Sequence, residues 1–320
     1  MNRFEGQWHR LFWRPETDDW LAVLRIGLGL QVSGFCLSLG RDWIYLFGGK
    51  QSDGLNSGAL SEAMLSLDSP LVPRMGWLLS LFDHFGLSEK AILFSVWAVL
   101  LISGLAVMAG LFCRESAVLA WFLHLCSVKG SSLLSYGVDN FMTIGLFYLM
   151  ISPLPDRFSL DWRWRKVPPK PAELLGFFRR VLQIHLCLIY FFSGLTKCLG
   201  GGWWNGSNLW RILIRPPFDS FSPELLIKWK ALFPIGGIAI CVLETGYPFL
   251  IWGRKTGRIW LVGICVMHLM IGLAMGMYLF ALVMIILNLA AFGPAETQDM
   301  PAGKGAGIDN RFRLDTEEGS

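Results

Sequence analysis

The chain has 320 residues, of which 53% are hydrophobic and 16% are charged, and its mean hydropathy is +0.48. These values lie outside those of ordinary soluble domains and predict a protein whose solvent is lipid. The formal net charge of +4 is spread over loops and forms no basic stripe with interleaved aromatics, which argues against nucleic-acid binding.

Long uncharged runs predict membrane-spanning helices. Residues 91–113 contain no charged side chain, and residues 231–252 contain a single one. Residues 259–293 lack Asp, Glu, Lys and Arg altogether. As one helix that run would be about 52 Å long, whereas the hydrocarbon core of a bilayer is about 30 Å thick. We therefore expect two passes there, broken near Gly272 and Gly276.

The fold class predicted is an all-α, polytopic bundle of about eight transmembrane helices. A cytoplasmic segment, residues 1–19, precedes the expected transmembrane domain of residues 20–293, and residues 294–320 have the composition of a disordered cytoplasmic tail. The first apolar run lacks the features of a cleaved signal peptide, so we interpret it as a retained span. The expected spans are 20–40, 91–113, 116–135, 136–154, 181–201, 231–252, 258–273 and 276–293.

Lysine and arginine residues predict the orientation of the bundle. The segment between the fourth and fifth expected spans carries seven of them, and further basic residues precede span one and follow spans two and six. The positive-inside rule places these segments, and with them both termini, in the cytoplasm. The seven cysteines lie in or beside apolar runs without metal-like spacing, so we expect buried thiols and no metal site.

Two segments on the outer face, residues 41–90 and 202–230, are longer than simple connections require. In the first, residues 60–67 and 75–85 have helix-like apolar spacing, which predicts short interfacial helices. Such helices would either roof a cavity or merely cap the bundle.

The fifth span carries a polar stripe. At 100° per residue, Gln183, Tyr190, Ser193 and Lys197 fall on one face of the helix. A polar stripe on a spanning helix is expected to face protein or water instead of lipid.

Lys197 has two interpretations. It lies near the outer end of its helix, where a lysine can snorkel to the headgroups. Alternatively, it is a desolvated amine that serves, in its neutral form, as a general base. Asp139 lies at a similar depth in the fourth span and is a possible partner for it.

Glu244 and His268 both fall near mid-membrane, where ionisable groups are costly unless they are paired or hydrated. Packing against satisfied neighbours is one explanation for each residue. Their presence together with Lys197 and Asp139 favours a polar cavity. The outer loop that follows span five contains Trp204 and Gly206, and it suits either an interfacial anchor or a re-entrant turn.

These polar positions belong to a longer pattern that resembles the HTTM family, whose domain is shared with vitamin K-dependent gamma-glutamyl carboxylase. The most specific part is Gln183-x6-Tyr190-Phe-x-x-Gly194-Leu-x-Lys197 followed by Trp204-Asn-Gly206-Ser207. The resemblance covers roughly residues 18–293. Its other parts are Gly110 to Arg114, Tyr136 to Asp139, Ser159 to Asp161, Glu244 with Pro248, and His268 followed by Gly276.

The resemblance implies a membrane enzyme in which Lys197 deprotonates a quinol, with a quinone or hydroquinone as cofactor and an exported peptide as possible partner. It also implies a bacterial inner-membrane protein, since short relatives of this type are bacterial. The chain departs from the carboxylase at residues 130–135, where Gly-Ser-Ser-Leu-Leu-Ser replaces an Asn-Asn-His stretch that includes a catalytic histidine. The large lumenal region of the carboxylase has no counterpart here.

Three functional hypotheses follow. The first is a quinol-linked enzyme with Lys197 as base and with Asp139, Tyr190 and His268 lining the cavity. The second is a non-catalytic helper for the maturation or export of a partner peptide or protein, in which the polar stripe only packs the bundle. The third, a transporter, ranks last because no repeat pattern is evident in the sequence.

Overall fold

The computed structural model describes residues 12–48, 60, 63–64, 67, 71–130, 135–165, 168, 170–218 and 221–294. Within these residues the chain is all-helical. The helices are α1 Asp19–Leu39, α2 Trp43–Phe47, α3 Met75–Asp83, α4 Glu89–Ala109, α5 Cys113–Gly130, α6 Gly137–Ile151, α7 Leu160–Arg165, α8 Ala172–Cys198, α9 Gly201–Trp204, α10 Ser207–Leu213, α11 Pro223–Lys228, α12 Leu232–Leu250, α13 Thr256–Met275 and α14 Tyr278–Phe292.

Five of these helices, α1, α4, α8, α12 and α13, are long and apolar enough to cross a membrane. The integral-membrane fold expected from the composition is therefore supported. Each of the eight expected spans contains a helix, but α6 and α14 have only 15 residues each. The predicted break in the last apolar run is present, because α13 ends at Met275 and the chain turns at Gly276. Gly272 lies inside α13, packed against Ala281.

The helix expected at residues 75–85 is present as α3, and of residues 60–67 the structure describes 60, 63, 64 and 67, all of them helical. Residues 1–11 and 295–320, and the divergent stretch 131–134, lie outside the described part of the chain. The predicted disorder of the tail is therefore untested.

The long helices run antiparallel and bring alternate termini to one end of the bundle, which we call the arginine-rich end. Four arginine side chains bind helix termini there. Arg157 pairs with Asp19 at the start of α1, and Arg114 donates to the carbonyl of Met150 at the end of α6, 2.7 Å away. The other two, Arg25 and Arg179, donate to the last carbonyls of α4 and α14.

These contacts answer a general problem of helices in lipid. The last four carbonyls of a helix have no partner within the helix, and the bilayer core supplies none. A guanidinium with its five N–H donors satisfies several of them at once. At the arginine-rich end, a network of hydrogen bonds from arginine side chains therefore fixes where α4, α6 and α14 end.

Arg25 is the most deeply buried arginine in this hydrogen-bond network. Its guanidinium forms a two-point ion pair with Asp156, at 2.5 and 3.2 Å, and also donates to the carbonyls of Val107 and Met108. Both partners are almost fully buried, at 1% and 0% exposure of the side chain. Every group in the cluster has a partner, which is the condition under which a buried charge is tolerated.

Beside this pair, two short sequence patterns quoted above pack onto each other. Asp161 accepts hydrogen bonds from the backbone N–H groups of Phe112 and Cys113, at 3.1 and 2.7 Å, and so caps the start of α5. Gly110 has φ +74° and lies against Ser159, leaving no space for a side chain. The Gly110–Arg114 and Ser159–Asp161 patterns are therefore explained by the geometry of one helix connection.

Two layers of helices meet on α14. On one side, α1 packs against α4, α6 and α14, and on the other side α8 and α13 pack against α14 while α12 packs against α8. Gln31 of α1 ties the layers by donating to the carbonyl of Leu279 at 2.9 Å. The second layer contains the polar residues singled out from the sequence.

The buried ion pair makes a testable prediction. Asp156→Ala should leave the Arg25 guanidinium buried without its counter-charge and destabilise the protein by about 3–5 kcal/mol. Thermal unfolding in detergent measures the change. Arg165→Ala, which removes the exposed partner of Asp161, is the control and should cost less than about 1 kcal/mol. Equal melting temperatures for Asp156→Ala and the wild type would contradict the assignment.

Candidate functional site

A cavity of about 620 Å³ lies between α8, α12, α13 and α14, in the half of the bundle away from the arginine-rich end. Its lining is mainly aliphatic, aromatic and methionine side chains. Polar groups are few and lie close together on neighbouring helices: Tyr190, Ser193, Lys197, Glu244 and His268. An apolar chamber with a few convergent polar groups is the usual form of a small-molecule site.

Lys197 and Glu244 form an ion pair in the wall of this cavity. The Lys197 Nζ atom donates to Glu244 Oε2 and to Ser193 Oγ, at 2.6 Å each. Because helical side chains tilt toward the N-terminus of their helix, Lys197 reaches back into the bundle. Its ammonium also lies 5.6 Å from the centroid of the Trp203 ring. These contacts direct the Lys197 ammonium into the bundle.

The ion pair requires a close approach of α8 and α12. A Cβ atom at Gly194 would lie 2.6 Å from the backbone nitrogen of Thr245, too near for any side chain. The missing side chain lets the two helices touch one turn below Lys197, beside Glu244. Gly194 therefore sets the distance at which the lysine and the carboxylate meet.

A chain of hydrogen bonds forms the second polar feature. Asn288 accepts from the Tyr247 hydroxyl at 2.7 Å through Oδ1, and its Nδ2 donates to the Tyr190 hydroxyl at 2.7 Å. The Tyr190 hydroxyl lies 2.8 Å from Nε2 of His268. All four side chains are buried, and Tyr190 and His268 line the cavity.

One contact of Asn288 with the backbone decides which group donates and which accepts in each of these hydrogen bonds. Asn288 Nδ2 also donates to the carbonyl of Met284 at 2.8 Å, and reversing the amide would place two acceptors together. Both N–H bonds of Asn288 are thus used, and Tyr190 must accept one of them. The Tyr190 proton is then free for Nε2 of His268, which leaves the imidazole proton on Nδ1.

Nδ1 of His268 has no hydrogen-bond partner among the described residues, although it is buried. An unpaired buried donor costs about 1–3 kcal/mol. Because the ring of His268 lines the cavity, the residue is a candidate ligand contact whose tautomer is fixed in advance.

The segment after α8 forms a roof over the cavity. Trp203 from α9 and Leu209, Ile212 and Leu213 from α10 line the cavity. Gly206 has φ +77° and begins α10, pressed against Phe233 and Pro234 of α12. Trp204 is exposed and donates to the carbonyl of Cys198 at 2.7 Å. Trp203, not Trp204, faces the lysine.

Two residues expected in this site lie elsewhere. Asp139 accepts from the backbone nitrogen of Tyr136 at 2.9 Å, closing the first turn of α6, and lines a separate cavity of about 240 Å³. Its expected pairing with Lys197 is wrong, because Glu244 occupies that position. Gln183 donates to the carbonyl of Ala291 at 2.6 Å and joins α8 to α14, outside the Lys197 cavity.

Sequence reasoning missed Asn288, Tyr247 and Trp203. Asn288 is the one amide in the apolar run 259–293, and a lone amide in a spanning helix is costly enough to have drawn attention. Nothing in the spacing of Tyr247 or Trp203 indicates that they meet the stripe on α8. Among the described residues, no group of three or more His, Cys, Asp or Glu could hold a metal ion.

The Gly194 contact yields a prediction on stability. Gly194→Ala should push α8 from α12 and lower the free energy of unfolding by about 1–3 kcal/mol, because the colliding atom belongs to the backbone. Gly201→Ala is the matched control, since a Cβ atom there would meet nothing within 4 Å. Unfolding in detergent compares the two. If both variants are as stable as the wild type, the close approach is not required.

The hydrogen-bond chain yields a spectroscopic prediction. In histidine-labelled protein, ¹⁵N–¹H correlation spectra should show His268 as the neutral tautomer with its proton on Nδ1, with the signal assigned by its loss in His268→Gln. Tyr190→Phe removes the donor to Nε2, so the other tautomer should become populated. A proton on Nε2 in the wild type would refute the derived direction.

In comparisons with known proteins, no family model, no curated protein and no solved structure matches this chain. The resemblance to the HTTM family therefore remains a prediction from the sequence patterns. The geometry of the Lys197 cavity is the basis on which a function can be proposed.

Proposed function

We propose that the chain is a quinol-linked membrane enzyme of the HTTM type, in which the Lys197–Glu244 pair takes up a proton from a lipid-soluble quinol. The observation that carries this proposal is the position of the pair, in the wall of an otherwise apolar cavity of about 620 Å³. Cavities that hold small molecules and cofactors are usually about 300–1,000 Å³. This one is therefore large enough for a ring system and part of an apolar tail.

The proposed topology has eight passes and places the arginine-rich end in the cytoplasm of a bacterium, with the protein in the inner membrane. The positive-inside rule supports this orientation. The 15-residue helices α6 and α14 would each span only about 22 Å, less than the bilayer core. Both are packed against α1 within the bundle, so surrounding helices instead of lipid would cover their ends.

The residues present fit a quinol in three respects. The aliphatic and aromatic walls suit a ring and a tail. The Glu244 carboxylate can accept a hydrogen bond from a hydroxyl. His268 lines the cavity, and its buried Nδ1 has no hydrogen-bond partner within the described part of the chain. When bound, a quinol supplies an acidic hydroxyl group and two reducing electrons.

The ion pair changes the role expected for Lys197 alone. As an ammonium bonded to Glu244, the lysine is not itself a free base, and the proton acceptor is the carboxylate oxygen. A hydroxyl held beside the pair would give its proton to Glu244, and the Lys197 ammonium would lie beside the oxygen that loses it. The Trp203 ring, 5.6 Å from the ammonium, adds a cation–π contact that holds the lysine in place.

A second candidate is the helper for maturation or export of a partner. The observation that favours it is the surface of α11 and its C-cap, where Leu225, Ile227 and Trp229 are all exposed at the end opposite the arginines. Such a surface suits either membrane headgroups or a partner protein. In that case the Lys197–Glu244 pair would only join α8 to α12.

Quinone retention distinguishes the two candidates. We expect purified wild-type protein in detergent to retain a naphthoquinone or its quinol, measured by extraction and absorbance. Lys197→Ala and Glu244→Gln should each lower retention about tenfold or more, because each leaves the other group buried without its partner. Lys228→Ala, an exposed lysine on α11, is the matched control and should retain as much as the wild type.

Two results would reject the enzyme proposal. One is equal retention by all four proteins, and the other is the absence of any quinone under conditions in which the wild type stays monodisperse. In either case, loss of partner capture on substituting Leu225 and Ile227 by serine would support the helper.

A further inference from the structure

The roof covers the cavity on the side of the outer aqueous face. Trp203 of the roof has its carbonyl directly against Gly237 of α12, where a side chain would collide with it. Leu209 of α10 covers Gly236 in the same way, with its Cδ1 atom 3.0 Å from the position of a Cβ. A molecule in water at the outer face therefore meets packed helices before it reaches Lys197.

On the side of the arginine-rich end, close contacts between α12 and α13 border the cavity. The indole nitrogen of Trp260 donates to the carbonyl of Leu243 at 3.0 Å, and its ring fits over Gly246. One turn farther along α13, Gly263 admits the Leu243 side chain, 3.0 Å from where a Cβ would lie. These contacts hold the two helices together on the inner side of the cavity.

On the outer side of these contacts, both α12 and α13 line the cavity, and some of the lining residues are also exposed on the outside of the bundle. Val266 and Met270 line the cavity and yet are 51% and 58% exposed. Ala239 on α12 combines the same two properties. Val266 lies ten residues from the start of α13, about 15 Å along the helix, a depth that lipid tails occupy.

We propose that this gap between α12 and α13 is a lateral portal and that the ligand is an amphiphile with a long apolar tail. The head would lie at Lys197 and Glu244, and the tail would leave through the portal between Ala239, Val266 and Met270 into the bilayer. The proposal rests on the proposed function for the identity of the head and adds the class of the tail and its path.

The methionines along the path support a flexible tail. Met267, Met270, Met275 and Met284 all line the cavity. Unbranched thioether side chains adapt their shape to an irregular occupant, whereas a rigid head would require fixed contacts. The fixed contacts are confined to the polar wall.

The test uses two naphthoquinones in liposomes, one with a polyisoprenyl tail and menadione, which has the same ring without it. The double variant Val266→Trp/Met270→Trp fills the portal with side chains that can lie in lipid. Val262→Trp/Leu269→Trp is the matched control, since both residues are exposed on α13 without lining the cavity. Size-exclusion profiles check that all three proteins are folded.

We expect the portal variant to retain about tenfold less of the tailed compound than the wild type at equilibrium. Menadione should bind equally to both proteins, and the control should behave as the wild type with either compound. Equal retention of the tailed compound by all three proteins would overturn the portal. Equal loss of both compounds in the portal variant would also overturn it, since the substitution would then have filled the cavity itself.

A second readout separates failure of the portal from failure of the proposed function. A phospholipid with a photoactivatable group in its acyl chain should label buried Met267 or Met284 in the wild type, and the portal variant should lose that labelling. If neither quinone binds but this labelling occurs, the portal stands and the quinol head is wrong. Absence of labelling together with absence of quinone binding would overturn both.

Discussion

Lipid provides no hydrogen-bond partners, and this constraint shapes the whole protein. Each polar group placed within the bundle must find its partner on another helix, so hydrogen bonds between polar residues fix the helices relative to one another. At the arginine-rich end these bonds run from guanidinium groups to helix carbonyls, and Arg25 and Asp156 form the most buried ion pair. They determine where helices end and which ends lie together.

The same constraint operates differently in the second layer of helices. There the polar groups are one ion pair and one hydrogen-bond chain, and they face a cavity instead of filling the space between helices. Nearly all of their hydrogen-bonding capacity is used, and only Nδ1 of His268 has no partner among the residues that the structure describes. A site of this kind is rigid before any ligand binds, because the groups that would contact the ligand are already held by their neighbours.

Glycine residues allow the close contacts between helices on which the site depends. At Gly194 and Gly237 the missing side chains let backbones touch, which brings Lys197 to Glu244 and the roof onto α12. At Gly246 and Gly263 they admit the Trp260 ring and the Leu243 side chain, which border the inner side of the cavity. Between these contacts α12 is left with a stretch that borders the cavity on one side and lipid on the other.

The sequence by itself determined the class of the protein, since apolar runs of membrane length have few alternatives. It also determined that Lys197, Tyr190, Glu244 and His268 needed partners, because such groups are costly in lipid. It did not determine the partners. By depth the sequence suggested Asp139 as the partner of Lys197, and only the packing of α8 against α12 at Gly194 decided for Glu244.

Distances between helices depend on side-chain shape at crossings far apart in the chain, and no local pattern encodes them. For that reason the cavity, the Tyr247–Asn288–Tyr190–His268 chain and the gap between α12 and α13 emerged only from the tertiary structure. Hydropathy records which groups avoid lipid, whereas packing decides which of them meet.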